Sequence, residues 1–275
     1  MKTEMKTNTK LSSEIKEKTR SAIRRNHSKI EGAAAEAYFN MAVNCFKPYY
    51  NVYCKLIDSI FRNARDPLRF LDFGTGPGII NNVILSNCST PLKITAIDNS
   101  KKMLNLSEKY NEDFLKESKL ELIYGDERIL KELNGRFDII FLRDIIHHIG
   151  RLKPFLNDVF KILSENGILL IEDLKLYANL KYAQNFTNIL FDKMENVNHQ
   201  IYDKIIGFLD SIRSAYNLDE VELELDRLNV NYESFEGKGR FFILSARSDM
   251  DLEPFAEEWK TVLKNNLLLI EDNNA

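Results

Sequence analysis

The residues best suited to chemistry lie in Phe70-Leu71-Asp72-Phe73-Gly74-Thr75-Gly76-Pro77-Gly78-Ile79-Ile80, where an apolar run breaks into three alternate glycines and resumes as an apolar helical pattern. That order describes a buried strand, a tight turn and a helix start. Glycines belong where backbone must turn sharply or lie against a ligand, because a Cβ there would clash. A cofactor is therefore expected across this turn; the competing reading is a purely structural turn. A dinucleotide fingerprint, G-x-G-x-x-G, would put a pyrophosphate on the helix N-terminus. Here the third glycine comes one place early, and Ile79 stands where that fingerprint has glycine.

Acidic residues recur at the ends of the next apolar runs. Ile94-Thr95-Ala96-Ile97 leads into Asp98, twenty residues after Gly78, where a carboxylate can accept both ribose hydroxyls of an adenosine-containing cofactor. Leu122-Ile123-Tyr124 leads into Gly125-Asp126-Glu127, and Asp126 also suits a helix N-cap. Phe137–Leu142 leads into Arg143-Asp144-Ile145-Ile146-His147-His148-Ile149. Ligands of open α/β sheets bind at this strand edge, so Arg143, Asp144, His147 and His148 are expected near the reacting group. Histidine, with an unperturbed pKa of ~6.5, can take a proton at neutral pH. The alternative for each histidine is a ring N–H bonded to backbone, fixing the loop. For Arg143 the choice lies between an acidic substrate and a neighbouring carboxylate, Glu172 or Asp173.

Taken together, these motifs resemble class I S-adenosylmethionine (SAM)-dependent methyltransferases. Asp72 followed by Gly74-x-Gly76-x-Gly78 is similar to motif I of that family. The resemblance implies SAM as cofactor, with the glycine backbone and Thr75 along its amino-acid end and Asp72 holding its ammonium group. It further implies Asp98 and Asn99 on the ribose, Met103 packed on adenine, and Gly125, Asp126 and Glu127 at the base, with Asp126 on the exocyclic amine. Tyr38 is implied at the amino-acid end, and Arg143 is counted among the cofactor-binding residues; Arg143, His147 and His148 are the catalytic candidates. No metal is implied. Phe137-Asp138-x-Ile140 followed by His147-His148-Ile149 resembles the small-molecule branch, which methylates quinone precursors and natural products. The Asn/Asp-Pro-Pro-aromatic motif of enzymes that methylate nucleobase or glutamine nitrogens is absent after the fourth strand.

The expected activity is therefore methyl transfer from SAM to a small, partly apolar molecule. Two alternatives keep SAM: chemistry that cyclises or transfers its other alkyl arm, releasing methylthioadenosine, and binding without catalysis. The partner is a small molecule, neither nucleic acid nor membrane, and the protein is expected as monomer or homodimer. The resemblance runs motif by motif from about Arg69 to Asp173, and by topology alone to the hairpin near the C-terminus.

The elements that must position these residues follow from the hydrophobic pattern. The chain has 275 residues, 44% of them hydrophobic, enough for one large α/β domain with a cap. Net charge is −3; residues 1–30 carry nine Lys/Arg against three Asp/Glu, giving +6, so the remainder sums to −9. Such an acidic bulk argues against phosphate-backbone binding, and the basic start has no aromatic residue to stack on bases. Glu4, Glu14 and Glu17 interrupt the basic run, which reads as a solvated helix face rather than a targeting peptide. No apolar run approaches the ~20 residues of a membrane span. Cys45, Cys54 and Cys88 lack metal-ligand spacing and suit reduced thiols in a cytoplasm.

Residues 1–65 read as an N-terminal helical cap or lid. From 66 to 248 strands alternate with helices, predicting a doubly wound α/β fold, a mostly parallel sheet with helices on both faces; the family resemblance implies that it has seven strands, the last of them antiparallel. Strands are expected at Arg69–Phe73, Lys93–Ile97, Leu120–Ile123, Asp138–Leu142 and Gly167–Glu172, with a hairpin of Val230–Phe235 and Arg240–Ala246. Leu152, Phe155, Leu156, Val159, Phe160 and Leu163 mark a helical stripe between the fourth and fifth strands. A helical insertion is expected over about 174–216. Asn217-x-x-Glu220 has the form of a capping box, and 249–275 reads as a C-terminal helix.

Overall fold

A computed structural model describes residues 32–47, 49–133, 135–175, 211, 214–237 and 240–265. The basic first thirty residues, nearly all of the expected insertion and the tip of the hairpin lie outside the described residues. In chain order the elements are α1 (Gly32–Met41), a π-helical turn (Ala42–Phe46), α2 (Asn51–Ile60), β1 (Leu68–Phe73), α3 (Ile79–Asn87), β2 (Leu92–Asp98), α4 (Lys101–Tyr110), α5 (Glu112–Lys116), β3 (Leu120–Tyr124) and a 3-10 turn (Glu127–Lys131). There follow β4 (Phe137–Arg143), a second 3-10 turn (Ile146–His148), α6 (Leu152–Ile162), β5 (Leu163–Leu174), α7 (Leu218–Leu228), β6 (Asn231–Gly237), β7 (Arg240–Ala246) and α8 (Glu253–Asn265).

The sheet order is β3-β2-β1-β4-β5-β7-β6. Strands β1 to β5 are parallel, and β7 is antiparallel to both β5 and β6. Because successive strand side chains face opposite ways, β4 sends Ile139 and Phe141 into one core and Ile140 and Leu142 into the other. The first core is closed by α2, α3 and α8, where Tyr53 meets Phe141 with ring centroids 4.8 Å apart and Trp259 packs edge-on to Phe242 at 5.4 Å. The second is closed by α6 and α7, whose Leu156, Val159, Val221 and Leu225 are fully buried. Each such side chain stabilises the fold by roughly 1.5–3 kcal/mol.

Two details depart from the sequence pattern. Leu163, part of the expected helical stripe, is instead the first residue of β5, because α6 stops at Ile162 and the chain turns directly into the strand. The early start is accommodated by a register shift between Phe137, paired with Leu163, and Ile139, paired with Ile168. Helix α2, expected as part of a lid, supplies Val52, Tyr53, Leu56 and Ile57 to the first core. The capping box at the start of α7 forms as read: Asn217 N–H donates to the Glu220 carboxylate at 2.9 Å.

Candidate functional site

The C-terminal ends of β1, β2 and β4 open onto one cavity of about 760 Å³, roofed by α1 and the start of α2. That volume suits a cofactor with room for a second molecule. Asp72, Gly74, Thr75 and Gly76 line it from β1 and its turn, and Asp98, Asn99 and Met103 line it from β2 and α4. Asp126 and Glu127 line it beyond β3, Arg143 and His148 beyond β4, and Tyr38 from α1. Among the sequence candidates, Gly78, Gly125 and His147 are not in the lining.

Only one glycine of the turn is open toward the cavity. Gly76 has φ of +55° and a Cβ there would meet nothing within 4 Å, so the backbone leaves room for a ligand. Gly78, with φ of +70°, serves packing: a Cβ would fall 2.1 Å from the Ser107 Oγ and 2.7 Å from Asn111 Nδ2 on the far side of the turn. Close approach of α4 to the start of α3 is what requires it. Asn111 Nδ2 also donates to the Gly78 carbonyl at 3.1 Å.

Two carboxylates face the cavity in different electrostatic settings. Asp72 is buried. Burial raises its pKa to about 6, only partly offset by side-chain hydrogen bonds from Thr75 and Asn81. Its Oδ2 is a buried acceptor with no protein partner. The Asp98 oxygens each accept a backbone N–H, Oδ2 from Gly76 and Oδ1 from Ser100, both at 2.8 Å. Ser100 N-caps α4 by accepting from Met103 N–H at 3.2 Å, which sets Met103 against the cavity. Asp126 N-caps its 3-10 turn and is also held by Arg128, whose Nη2 lies 2.6 Å from Oδ2.

Beyond β4 a charged floor forms. Arg143 lies 2.9 Å from Asp144, its Nε 3.5 Å from Glu172 Oε1, and its guanidinium 5.0 Å over the Tyr50 ring. Of the alternatives read for Arg143, the acidic neighbour is therefore present, with Glu172 rather than Asp173. Arg240 on β7 bonds Asp144 and places Nε 2.6 Å from Glu172 Oε1. Tyr49 donates to Glu172 Oε2 at 3.1 Å. Burial would raise the Asp144 pKa, but the Arg143 and Arg240 guanidinia overcome it and hold it at about 2. Burial raises the Glu172 carboxyl, with Arg240 opposing. Arg240 and Asp144 complete the floor, yet Arg240 is remote in sequence and no local motif marks it. Asp144 itself has φ of 53°, a left-handed backbone uncommon outside glycine, and its N–H donates to the Glu172 carbonyl at 2.9 Å.

The two histidines part company. His147 is buried and its Nδ1 lies 2.6 Å from Asp173 Oδ1, whereas His148 lines the cavity. Among the described residues, no group of three or more His, Cys, Asp or Glu could hold a metal ion. Likewise, no helix there is long and apolar enough to cross a membrane.

A family model described as a methyltransferase domain matches residues 64–265. Two ubiquinone biosynthesis O-methyltransferases are similar: that of Pelagibacter ubique is 28% identical over 143 residues, 47% of this chain and 56% of that protein. That of a Caulobacter strain is 28% identical over 118 residues, 41% of this chain and 44% of that protein. The chain thus spans about half the length of the curated relatives it matches. Among solved structures, a plantazolicin methyltransferase in complex with SAH superposes with a TM-score of 0.64 at 13% identity, covering 86% of this chain and 99% of that one. A SAM-dependent methyltransferase from Aquifex aeolicus gives 0.54 at 16% identity, covering 80% and 100%. At such identities the likeness is one of fold.

Proposed function

Because this chain belongs to the class I SAM-dependent methyltransferase family, we propose that it transfers the methyl group of SAM to a small, partly apolar molecule. The observation that carries the reading is Asp72 Oδ2, a buried carboxylate oxygen without a protein partner, beside a glycine turn open to the cavity. A buried anion left alone costs several kcal/mol, and a cationic ligand group offsets that cost. An α-ammonium is such a group, and Asp98 on the next strand is placed for a ribose. Met103 offers an apolar face for an adenine, and Asp126 its remaining acceptor capacity.

When bound, SAM supplies a methyl already activated by the sulfonium charge. What remains for the protein is to align an acceptor and exclude water. Tyr38, Tyr50 and Phe141 line the cavity; Arg143 already lies over the Tyr50 ring, which leaves Tyr38 as the candidate aromatic neighbour of the sulfonium. His148 is the candidate base for a hydroxyl or protonated amine. That the similar curated proteins are named for ubiquinone biosynthesis, and a fold neighbour for plantazolicin, favours a small acceptor.

The test is incubation of the purified protein with methyl-labelled SAM and small-molecule extract. Release of S-adenosylhomocysteine with label in a small product is expected. Methylthioadenosine instead would replace methyl transfer with alkyl-arm chemistry. Binding of SAM with neither product would leave a non-catalytic role, and uptake of NAD but not SAM would overturn the assignment.

A further inference from the structure

Resting on the reading of His148 as the cavity-facing base, we infer that Asp173 is a positioning residue: it anchors His147 to β5 and thereby presents His148 to the acceptor. Asp173 is fully buried near the end of β5. Its Oδ2 accepts the N–H groups of Ile145 at 3.0 Å and Ile146 at 2.7 Å, and lies 3.4 Å from that of His147. Oδ1 accepts from Leu174 N–H at 2.7 Å and lies 2.6 Å from His147 Nδ1. One carboxylate thus satisfies the N-terminal donors of the 3-10 turn and fixes one of its rings. A carboxylate only accepts, so His147 Nδ1 carries the proton.

The consequence follows from how the two rings sit. The imidazoles of His147 and His148 pack against each other, with centroids 4.0 Å apart and planes tilted by 40°. Tying the turn and the His147 ring to Asp173 therefore fixes where the His148 ring sits, and of the two it is His148 that lines the cavity. The far end is clamped as well, since Tyr216 donates its hydroxyl to the Ile149 carbonyl at 2.9 Å. A turn of three residues has little stability of its own; these two clamps hold it. Asp173 thereby selects which of two chemically identical neighbours can act.

Histidine-selective NMR tests this, because the chain has only four histidines. The full chain is labelled with 15N-histidine, its signals are assigned through His147→Asn and His148→Asn, and S-adenosylhomocysteine is the probe. In the unmodified protein the His147 Nδ1 proton should be visible without ligand, and the probe should shift the His148 ring signals. In Asp173→Asn, whose amide turns a donor on one of these partners, the His147 proton should exchange at least tenfold faster and the His148 response should be lost. His147→Asn, which keeps a donor near the Nδ1 position, should retain the His148 response, and His147→Phe should lose it. This last pair decides the matter if Asp173→Asn does not fold.

An unchanged His148 response in Asp173→Asn, equal loss in both His147 variants, or no His148 response despite calorimetric binding of the probe would overturn the inference. If the probe does not bind at all, the cofactor reading fails by itself. The His147 proton then decides the anchoring: unchanged exchange in Asp173→Asn overturns it, and faster exchange sustains it.

Discussion

The carboxylate of Asp98, at the end of β2, accepts the backbone N–H of Gly76, in the turn after β1, at 2.8 Å. The acid proposed for the ribose and the glycine proposed for the amino-acid end are thus one hydrogen-bonded unit, completed by Ser100 N–H on the other oxygen. Asp98→Ala is expected to weaken SAM binding more than tenfold, since hydrogen bonds to a charged group contribute about 1.5–3 kcal/mol each. Asp98→Asn should not restore it, because an amide must turn a donor toward one of the two N–H groups. Calorimetric titration of both variants checks this, and wild-type affinity in either removes the ribose role.

Asp72 gives a pH dependence whose sign differs between stability and binding. Its folded pKa of about 6 lies above the ordinary 3.8. Between those values the folded state keeps a proton that the unfolded chain has lost, so this group's contribution to stability falls as pH rises through that window and stays low above it. Asp72→Asn is expected to stabilise the free protein at pH 8, by up to about 3 kcal/mol, while greatly weakening SAM binding. For the unmodified protein, affinity should fall about tenfold per pH unit below pH 6, as protonated Asp72 no longer pairs with an ammonium group. Urea melts and titrations at pH 5, 6 and 8 separate the two effects.

Gly76 and Gly78 should fail differently when changed to alanine. Gly78→Ala drives a methyl into Ser107 and Asn111, and overpacking plus the left-handed backbone should cost about 2–4 kcal/mol of stability. Gly76→Ala meets nothing in the protein, so its stability loss should be only the backbone strain of about 1–2 kcal/mol, with a larger proportional loss of SAM affinity. Equal thermal shifts and equal binding losses would contradict the division of roles.

Arg240→Ala removes the cation shared by Asp144 and Glu172. Leaving one member of a buried ionic network unpaired typically costs 3–5 kcal/mol, so a loss of about that size is expected in denaturant unfolding. A change below ~1 kcal/mol would show that Arg143 alone neutralises the floor.

Much of this protein is legible in local pattern. Alternation of apolar runs with helical stripes predicts the doubly wound sheet and its terminal hairpin, because period and turn chemistry act over short stretches of chain; the antiparallel direction of the last strand comes from the family resemblance. Residue types at strand ends bring Asp72, Asp98, Asp126 and His148 to one edge, since a parallel sheet puts all its C-terminal ends on the same side.

Tertiary packing decided the rest. Gly76 and Gly78 look alike in the sequence, yet one is open to a cavity and the other is pressed by α4. His147 and His148 are adjacent and identical, yet one is tied to Asp173 on the neighbouring strand while the other, packed against it, lines the cavity. Arg240 reaches Asp144 only because β7 pairs beside β5. The sequence determines which groups stand along the edge, through periodicities of two and 3.6 residues that every short segment carries. Which of those groups faces the cavity depends on contacts between segments far apart in the chain, and no local spacing records them.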